Sequence, residues 1–273
     1  MLSEAFSFLF AKCESKFRRF GYLHEAIAID ARFKRCGPSW GSHLENTRSE
    51  ISSAINKVSE RKKVIILGAG AGYDIPLDDL ERLFETVVLV DVVFLKSIRK
   101  KAERSSSISL VELDLTGLVA SLEHLKPDFD VKKIQSILPV NLLKDADLVI
   151  SCNVLSQLPI NIQNWLIKAG VHEDDDELKS CCRTIIIDHL KWLECSNVPV
   201  LLITDLERQL SAVKDPEEKG VRDNALYGLE FNKLDKTWIW NIAPSPEIDK
   251  NYNLKHLVGS VYLKPEESFD ISY

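Results

Sequence analysis

The stretch "KVIILGAGAG", residues 63–72, constrains this chain more than any other. A short continuous apolar run that ends in glycine fits a strand buried on both faces. Gly68, Gly70 and Gly72 alternate, so the main chain beyond the strand can approach a ligand closely. "DIPLDDLERLF" (74–84) then reads as a helix. Asp74 can cap it, Pro76 suits its first turn, and Leu77, Leu80, Leu83 and Phe84 supply an apolar face.

Four further segments read as buried strands: "TVVLVD" (86–91), "SISLVELD" (107–114), "ADLVISC" (146–152) and "VPVLLITD" (198–205). Helical stretches separate most of them, which implies a parallel sheet with right-handed crossovers. "LKSCCRTIIIDHLKWL" (178–193) contains a strand-like "TIIID". Its apolar spacing nonetheless fits a helix, and a strand follows too soon for the other reading. The acidic run "HEDDDE" before it suits a helix N-terminus and is otherwise a solvated face. "KTWIWNI" (236–242) and "LKHLVGSVYLK" (254–264) have no helix between them, which predicts an antiparallel hairpin.

Residues 1–60 read as helical, with Leu44, Ile51, Ala54, Ile55 and Val58 on one face and a Gly-Pro turn in "CGPSWGS" (36–42). The opening "MLSEAFSFLFAKCESKFRRF" has helical apolar spacing and reads as an amphipathic helix rather than a signal peptide. No internal repeat or low-complexity linker occurs. The expectation is a helical cap over 1–60 packed on a main domain over 61–273.

With 273 residues, 45% hydrophobic and 28% charged, the chain is long enough for one large α/β domain or a domain plus a cap. No apolar run approaches the roughly 20 residues that span a bilayer. Six cysteines without a CxxC pair, three of them in apolar segments, read as reduced thiols of a cytoplasmic protein, with no metal or disulfide framework. A formal net charge of −6 gives no general pull toward nucleic acid, and "SERKK" (59–63) reads as a solvated helix end.

The ligand of the glycine loop follows from its spacing. A dinucleotide loop calls for G-x-G-x-x-G, but the sixth position here is Tyr73, and the pattern is G-x-G-x-G. With "VVLVDV" ending a second strand on Asp91, "VELDL" placing Asp114 after a third, and "DLVISCNVLSQLP" after a fourth, the chain resembles the class I S-adenosylmethionine-dependent methyltransferases over roughly residues 60–265. The resemblance implies a Rossmann-like, mostly parallel seven-stranded sheet ending in an antiparallel hairpin, with S-adenosylmethionine as cofactor. It places Gly68, Ala69, Gly70 and Gly72 beside the methionine and ribose of that cofactor. It assigns Asp91, followed by Val92, to the two ribose hydroxyls, an apt partner because an ionised carboxylate offers two acceptor oxygens. Asp114, with Leu115, falls near the adenine amino group, and Asn153 faces the transferred methyl.

One position departs from the resemblance. Where the family often carries an acid for the cofactor's ammonium, this chain has Ile66; a loop carbonyl or Asp74 is left for that role. The resemblance implies a methyl acceptor that is a small molecule or some other, unidentified molecule, and specifies no oligomer. The amide-methylating Asn/Asp-Pro-Pro-aromatic signature is missing after the fourth strand, as are HExxH, GxSxG and Walker A patterns. Two other readings stand beside it: a nicotinamide-dependent oxidoreductase, supported by the loop and Asp91, and a catalytically silent binding module, supported by Ile66.

Methyl transfer needs positioning more than a fixed catalytic group, so no motif marks a catalytic residue. Trp40 and His43, on the Gly-rich turn of the cap, are substrate candidates, although aromatics there equally pack a cap on a core. His189 reads as a surface or satisfied histidine, and His24, His124, His172 and His256 lack metal-ligand spacing.

Overall fold

The computed structural model describes residues 11–124, 131, 134–171, 176–214 and 220–272. The first half of the opening helix expected over "MLSEAFSFLFAKCESKFRRF", and His172 with most of the acidic run, lie outside the described residues; of the second half, residues 15–19 are helical and 11–14 are not. The described chain begins with α1 (Ser15–Arg19), α2 (Tyr22–Cys36), a 3-10 turn (Gly37–Trp40) and α3 (Gly41–Lys57). Alternation then follows: β1 (Lys63–Leu67), α4 (Leu77–Leu83), β2 (Thr86–Asp91), α5 (Lys96–Glu103), β3 (Ile108–Glu112) and α6 (Val119–Leu122). β4 (Leu148–Cys152), α7 (Leu158–Lys168), α8 (Asp176–Glu194) and β5 (Val200–Ala212) continue it. Short β6 (Arg222–Asn224) and β7 (Glu230–Phe231), long β8 (Lys236–Ala243) and β9 (Tyr252–Leu263), and β10 (Ile271–Ser272) complete it.

The main sheet runs β3-β2-β1-β4-β5-β9-β8, with β6 added on β5. The first five strands are parallel, while β9 pairs antiparallel with both β5 and β8. The seven-stranded, mostly parallel sheet with its closing hairpin is therefore the fold. β6 and the small β7–β10 sheet were not legible in the sequence; their pairings are two or three residues long. β5 also runs past the expected end at Asp205 to Ala212, because β9 continues to pair with it beyond a register shift between Asp205 and Glu207.

Every side chain of a doubly covered strand needs a neighbour, so the sheet sorts its residues into two cores. Ile65 and Leu67 of β1 join one cluster with α7 and α8, while Val64 and Ile66 join the other with α3, α4 and α5. The N-terminal helices divide between them. Phe17, Phe20, Leu23 and Ile27 belong to the first, and Cys36, Trp40, Ile51, Ala54 and Ile55 to the second. α2 thus crosses from one layer to the other, and α3 lies on the sheet as a layer helix.

One local expectation changes. Asp74 does not cap α4, whose N-terminal flank is Pro76 with no side-chain cap; its carboxylate is engaged by Asn153 instead. Of the two alternatives for His189, surface or satisfied, the structure shows the second: the ring is fully buried, with Nε2 3.1 Å from Ser151 Oγ.

Candidate active site

In an open α/β sheet, ligands collect beyond the C-terminal strand ends where the strand order reverses. Here β1 lies between β2 and β4, and its C-terminal end opens into a cavity of about 310 Å³ roofed by α2 and α3. A volume of that size falls in the range of small-molecule sites.

At one end the wall is the glycine loop. Gly68, Gly70 and Gly72 all have positive φ, at 78°, 47° and 71°. A Cβ on Gly68 would lie 2.5 Å from Val154 Cβ and 2.8 Å from the Cys152 carbonyl, so side-chain-free backbone is required for the loop to pass β4. A Cβ on Gly70 would meet nothing closer than Asp91 Oδ2 at 3.8 Å, which leaves a cradle above that residue. Asp91 turns toward the loop. Its Oδ2 accepts from the Gly70 N–H at 2.7 Å, and Oδ1 accepts from Val92 at 2.7 Å and Val93 at 3.4 Å. Burial pushes its carboxyl above the usual range despite these three donors. A carboxylate offers about four lone-pair sites, so acceptor capacity remains for a ligand.

Ala69, Val92, Asp114 and Leu115 also line the cavity. Asp114 is the most committed of them. Oδ1 accepts from the Thr116 N–H and hydroxyl, and Oδ2 from the N–H groups of Leu118 and Val119, so it caps the start of α6. Tyr22, from the roof, lies near it; burial first, then the Asp114 charge, pushes its phenol well up, and it faces the cavity as a neutral donor.

Asn153 occupies the floor just past β4 with φ 51°, a left-handed conformation that Asn tolerates better than most residues. Its Nδ2 donates to Asp74 Oδ2 at 2.7 Å, and the acceptor-only partner fixes which amide atom is nitrogen. Nδ2 also lies 3.4 Å from His43 Nε2.

His43 and Trp40, the two substrate candidates, both reach the cavity wall. Trp40 is spent largely on packing: its indole donates to the Ile242 carbonyl at 2.9 Å and its ring meets Trp240 edge-on. His43 stacks on Trp240 with centroids 4.0 Å apart, and its Nδ1 accepts from the Trp238 indole at 3.1 Å. Burial, only partly offset by Asp74 and Asp205, pushes its pKa down. The neutral ring therefore carries its proton on Nε2.

The far end of the cavity holds groups that sequence reasoning passed over. Trp240 of β8 sits opposite His256 of β9, and Asp205 of β5 opposite Val258 of β9, so all share the sheet face that α3 covers. His256 Nδ1 lies 3.0 Å from Asp205 Oδ2, which also accepts from Ser156 Oγ at 3.2 Å. Burial opposes ionisation of Asp205, but the His256 ring, then His43 and Ser156, outweigh it and hold the carboxyl below the usual range. His256 was visible in the sequence only as a histidine without metal spacing. Its partner, the last residue of "VPVLLITD", looked like a strand end. Among the described residues no group of three or more His, Cys, Asp and Glu is arranged to hold a metal ion.

The roof is fastened at both edges. Tyr73, just after the glycine loop, stacks on Phe33 of α2 and its hydroxyl donates to Asp30. Arg35 of α2 makes a forked pair with Glu247, between β8 and β9, at 2.6 and 2.9 Å.

No protein-family model and no curated protein sequence matches the chain. Solved structures of S-adenosylmethionine-dependent methyltransferases overlap it. One from Leishmania major is 10% identical, with TM-score 0.36, over 94% of this chain and 81% of the other. The Burkholderia thailandensis 1,6-didemethyltoxoflavin-N1-methyltransferase is 12% identical, with TM-score 0.32, over 86% and 89%. Human N-acetylserotonin methyltransferase is 12% identical, with TM-score 0.35, over 89% and 56%. Overlaps this loose decide neither ligand nor activity.

Proposed function

We propose that this protein is a methyltransferase that takes S-adenosylmethionine at the glycine-loop end of its cavity and a small molecule or other acceptor at the opposite end. The observation that carries this reading is Asp91. Its half-buried carboxylate faces the cavity beside the open cradle over Gly70, where a vicinal diol would find acceptors and bare main chain together. Bound there, S-adenosylmethionine supplies an electrophilic methyl carbon on a positively charged sulfur. The chain's own residues position and shield. Asp91 takes the ribose edge, Val92 and Leu115 flank the base, and Asn153 holds the floor below the acceptor. Ile66 is wholly buried in β1, so it offers nothing to an ammonium. Asp74, in the cavity wall and already orienting Asn153, is the carboxylate available for it. α2 and α3 keep water from the space between the two ligands.

A dinucleotide fits less well. Pyrophosphate sites use the N-terminus of a helix that opens directly from the loop. Here the loop ends at Gly72 and α4 begins only at Leu77. All six cysteines are free, which suits a reducing compartment such as the cytoplasm. No described helix is long and apolar enough to cross a membrane.

Thermal melting with S-adenosylmethionine, S-adenosylhomocysteine, NAD and NADP tests the proposal, since a ligand selective for the native state raises the melting temperature. The adenosyl ligands alone should do so. A rise with NAD or NADP alone, or with none of the four, overturns it.

A further inference from the structure

The two cavity histidines are held in opposite protonation patterns. His43 Nδ1 receives the Trp238 indole proton, so its own proton sits on Nε2. His256 faces a carboxylate with Nδ1, at 3.0 Å from Asp205 Oδ2, and a carboxylate attracts the proton to that nitrogen. Nε2 of His256 then carries the lone pair. His256 lines the cavity, and among the described residues its buried Nε2 has no hydrogen-bond partner, nor has Nδ1, whose approach to Asp205 is within ion-pair distance but outside hydrogen-bond geometry. Asp205 is 2% exposed and is itself steadied by Ser156. Asp205 pairs with Val258, two positions from His256 along β9, which puts that carboxylate on the same sheet face as His256. A buried imidazole with one nitrogen 3.0 Å from a carboxylate oxygen and the other away from it is placed to act as a proton acceptor.

The space in front of it is walled by flat rings. Trp240 meets His256 edge-on at 5.7 Å, and His43 lies flat on Trp240 at 8°. Trp40 closes the same wall.

We infer that His256 is the proton acceptor of this cavity, with Asp205 as its positioning residue, and that the molecule methylated is planar and loses a proton from a hydroxyl or ring N–H as it is methylated. This rests on the methyltransferase reading above. In the step, the acceptor's O–H or N–H bond breaks and its heteroatom bonds the methyl carbon. The proton passes to His256 Nε2, giving an imidazolium paired with Asp205, and the carbon–sulfur electron pair stays on sulfur, which leaves as a neutral thioether. His256 then returns the proton to solvent.

The test uses the full chain, S-adenosylhomocysteine and 4-nitrophenol as probe. In the wild type, 4-nitrophenol bound beside S-adenosylhomocysteine should show the visible absorption band of its phenolate at a pH where the free phenol is mostly neutral. His256→Gln should abolish that band while changing S-adenosylhomocysteine affinity, read by calorimetry, by no more than about twofold. Asp205→Asn should weaken the band. Nitrogen-15 spectra of the wild type should show His256 at neutral pH with its proton on Nδ1 and Nε2 bare, a readout that needs no variant to fold. A ring protonated on Nε2, or on both nitrogens, overturns the inference. So does the absence of bound phenolate in the wild type, or its persistence in His256→Gln. If S-adenosylhomocysteine binds and these signatures fail, only the proton acceptor is lost. If it does not bind, the methyltransferase reading fails and this inference with it.

Discussion

At the glycine-loop end the cavity wall is main chain, and Gly70 and its partner Asp91 are 21 positions apart. At the opposite end the wall is side chains from α3, β5, β8 and β9, joined by contacts such as His43 to Trp238 across 195 positions. The first end is a local product of one strand-loop-helix-strand unit. The second exists only when the last strands of the sheet are in place. A ligand common to many proteins suits a wall of backbone, because backbone geometry is independent of side-chain identity. A particular acceptor suits a wall of side chains, whose shape and charge one chain alone supplies.

That contrast can be broken at either end. Gly68→Ala is expected to have the largest effect. Its Cβ would press on the Cys152 carbonyl and Val154 with φ at 78°, and overpacking plus left-handed strain should cost about 3 kcal/mol in a denaturant titration. A loss under about 1 kcal/mol would mean that the loop is not rigid.

Acid supplies a background that both ends share. His189 lies under β4 on the α8 side, and burial, partly offset by the Leu115 backbone, lowers its pKa to about 4. The unfolded chain therefore binds this proton first. The stability it contributes is present above its unfolded value of 6.5 and is lost as pH falls toward about 4. The whole window is worth roughly 3 kcal/mol. Urea titrations of wild type and His189→Gln should differ in slope across that window, and parallel slopes would remove His189 as the cause.

Asp91→Ala sharpens the contrast directly. Loss of charge-assisted bonds to a ribose should weaken S-adenosylhomocysteine binding about a hundredfold by calorimetry, while His256→Gln leaves it nearly unchanged. Equal losses at both positions would mean that the two ends are one site. Gly70→Ala should have the smallest effect on the fold, about 1 kcal/mol, because its Cβ meets no atom closer than 3.8 Å. Its cost should fall instead on ligand affinity, and an unaltered affinity would move the ligand away from the cradle.

The sequence was legible where structure is local. The buried strands, the closing hairpin and the placement of Asp91 against the loop follow from apolar runs and glycine spacing. The resemblance makes Asp114 a ligand contact, whereas the four bonds it accepts in the structure are those of a turn aspartate; a turn aspartate and a binding aspartate look alike until their donors are counted. Asp74 was read as a cap and instead holds Asn153. Asp205 and His256 carry no signal, because nothing in either segment points to a partner 51 positions away, brought together by the antiparallel pairing of β5 with β9.

The bond from the Trp40 indole to the Ile242 carbonyl spans 202 positions. Synthesis delivers the roof helices first and their anchorage on β8 near the end. Through most of translation, α2 and α3 have no far wall to rest on, and loop-closure entropy makes this docking a late event. The enclosed chamber is consequently the last part of the molecule to form, and a nascent chain released before its closing hairpin would possess the glycine loop yet lack the side-chain wall at the far end of the cavity.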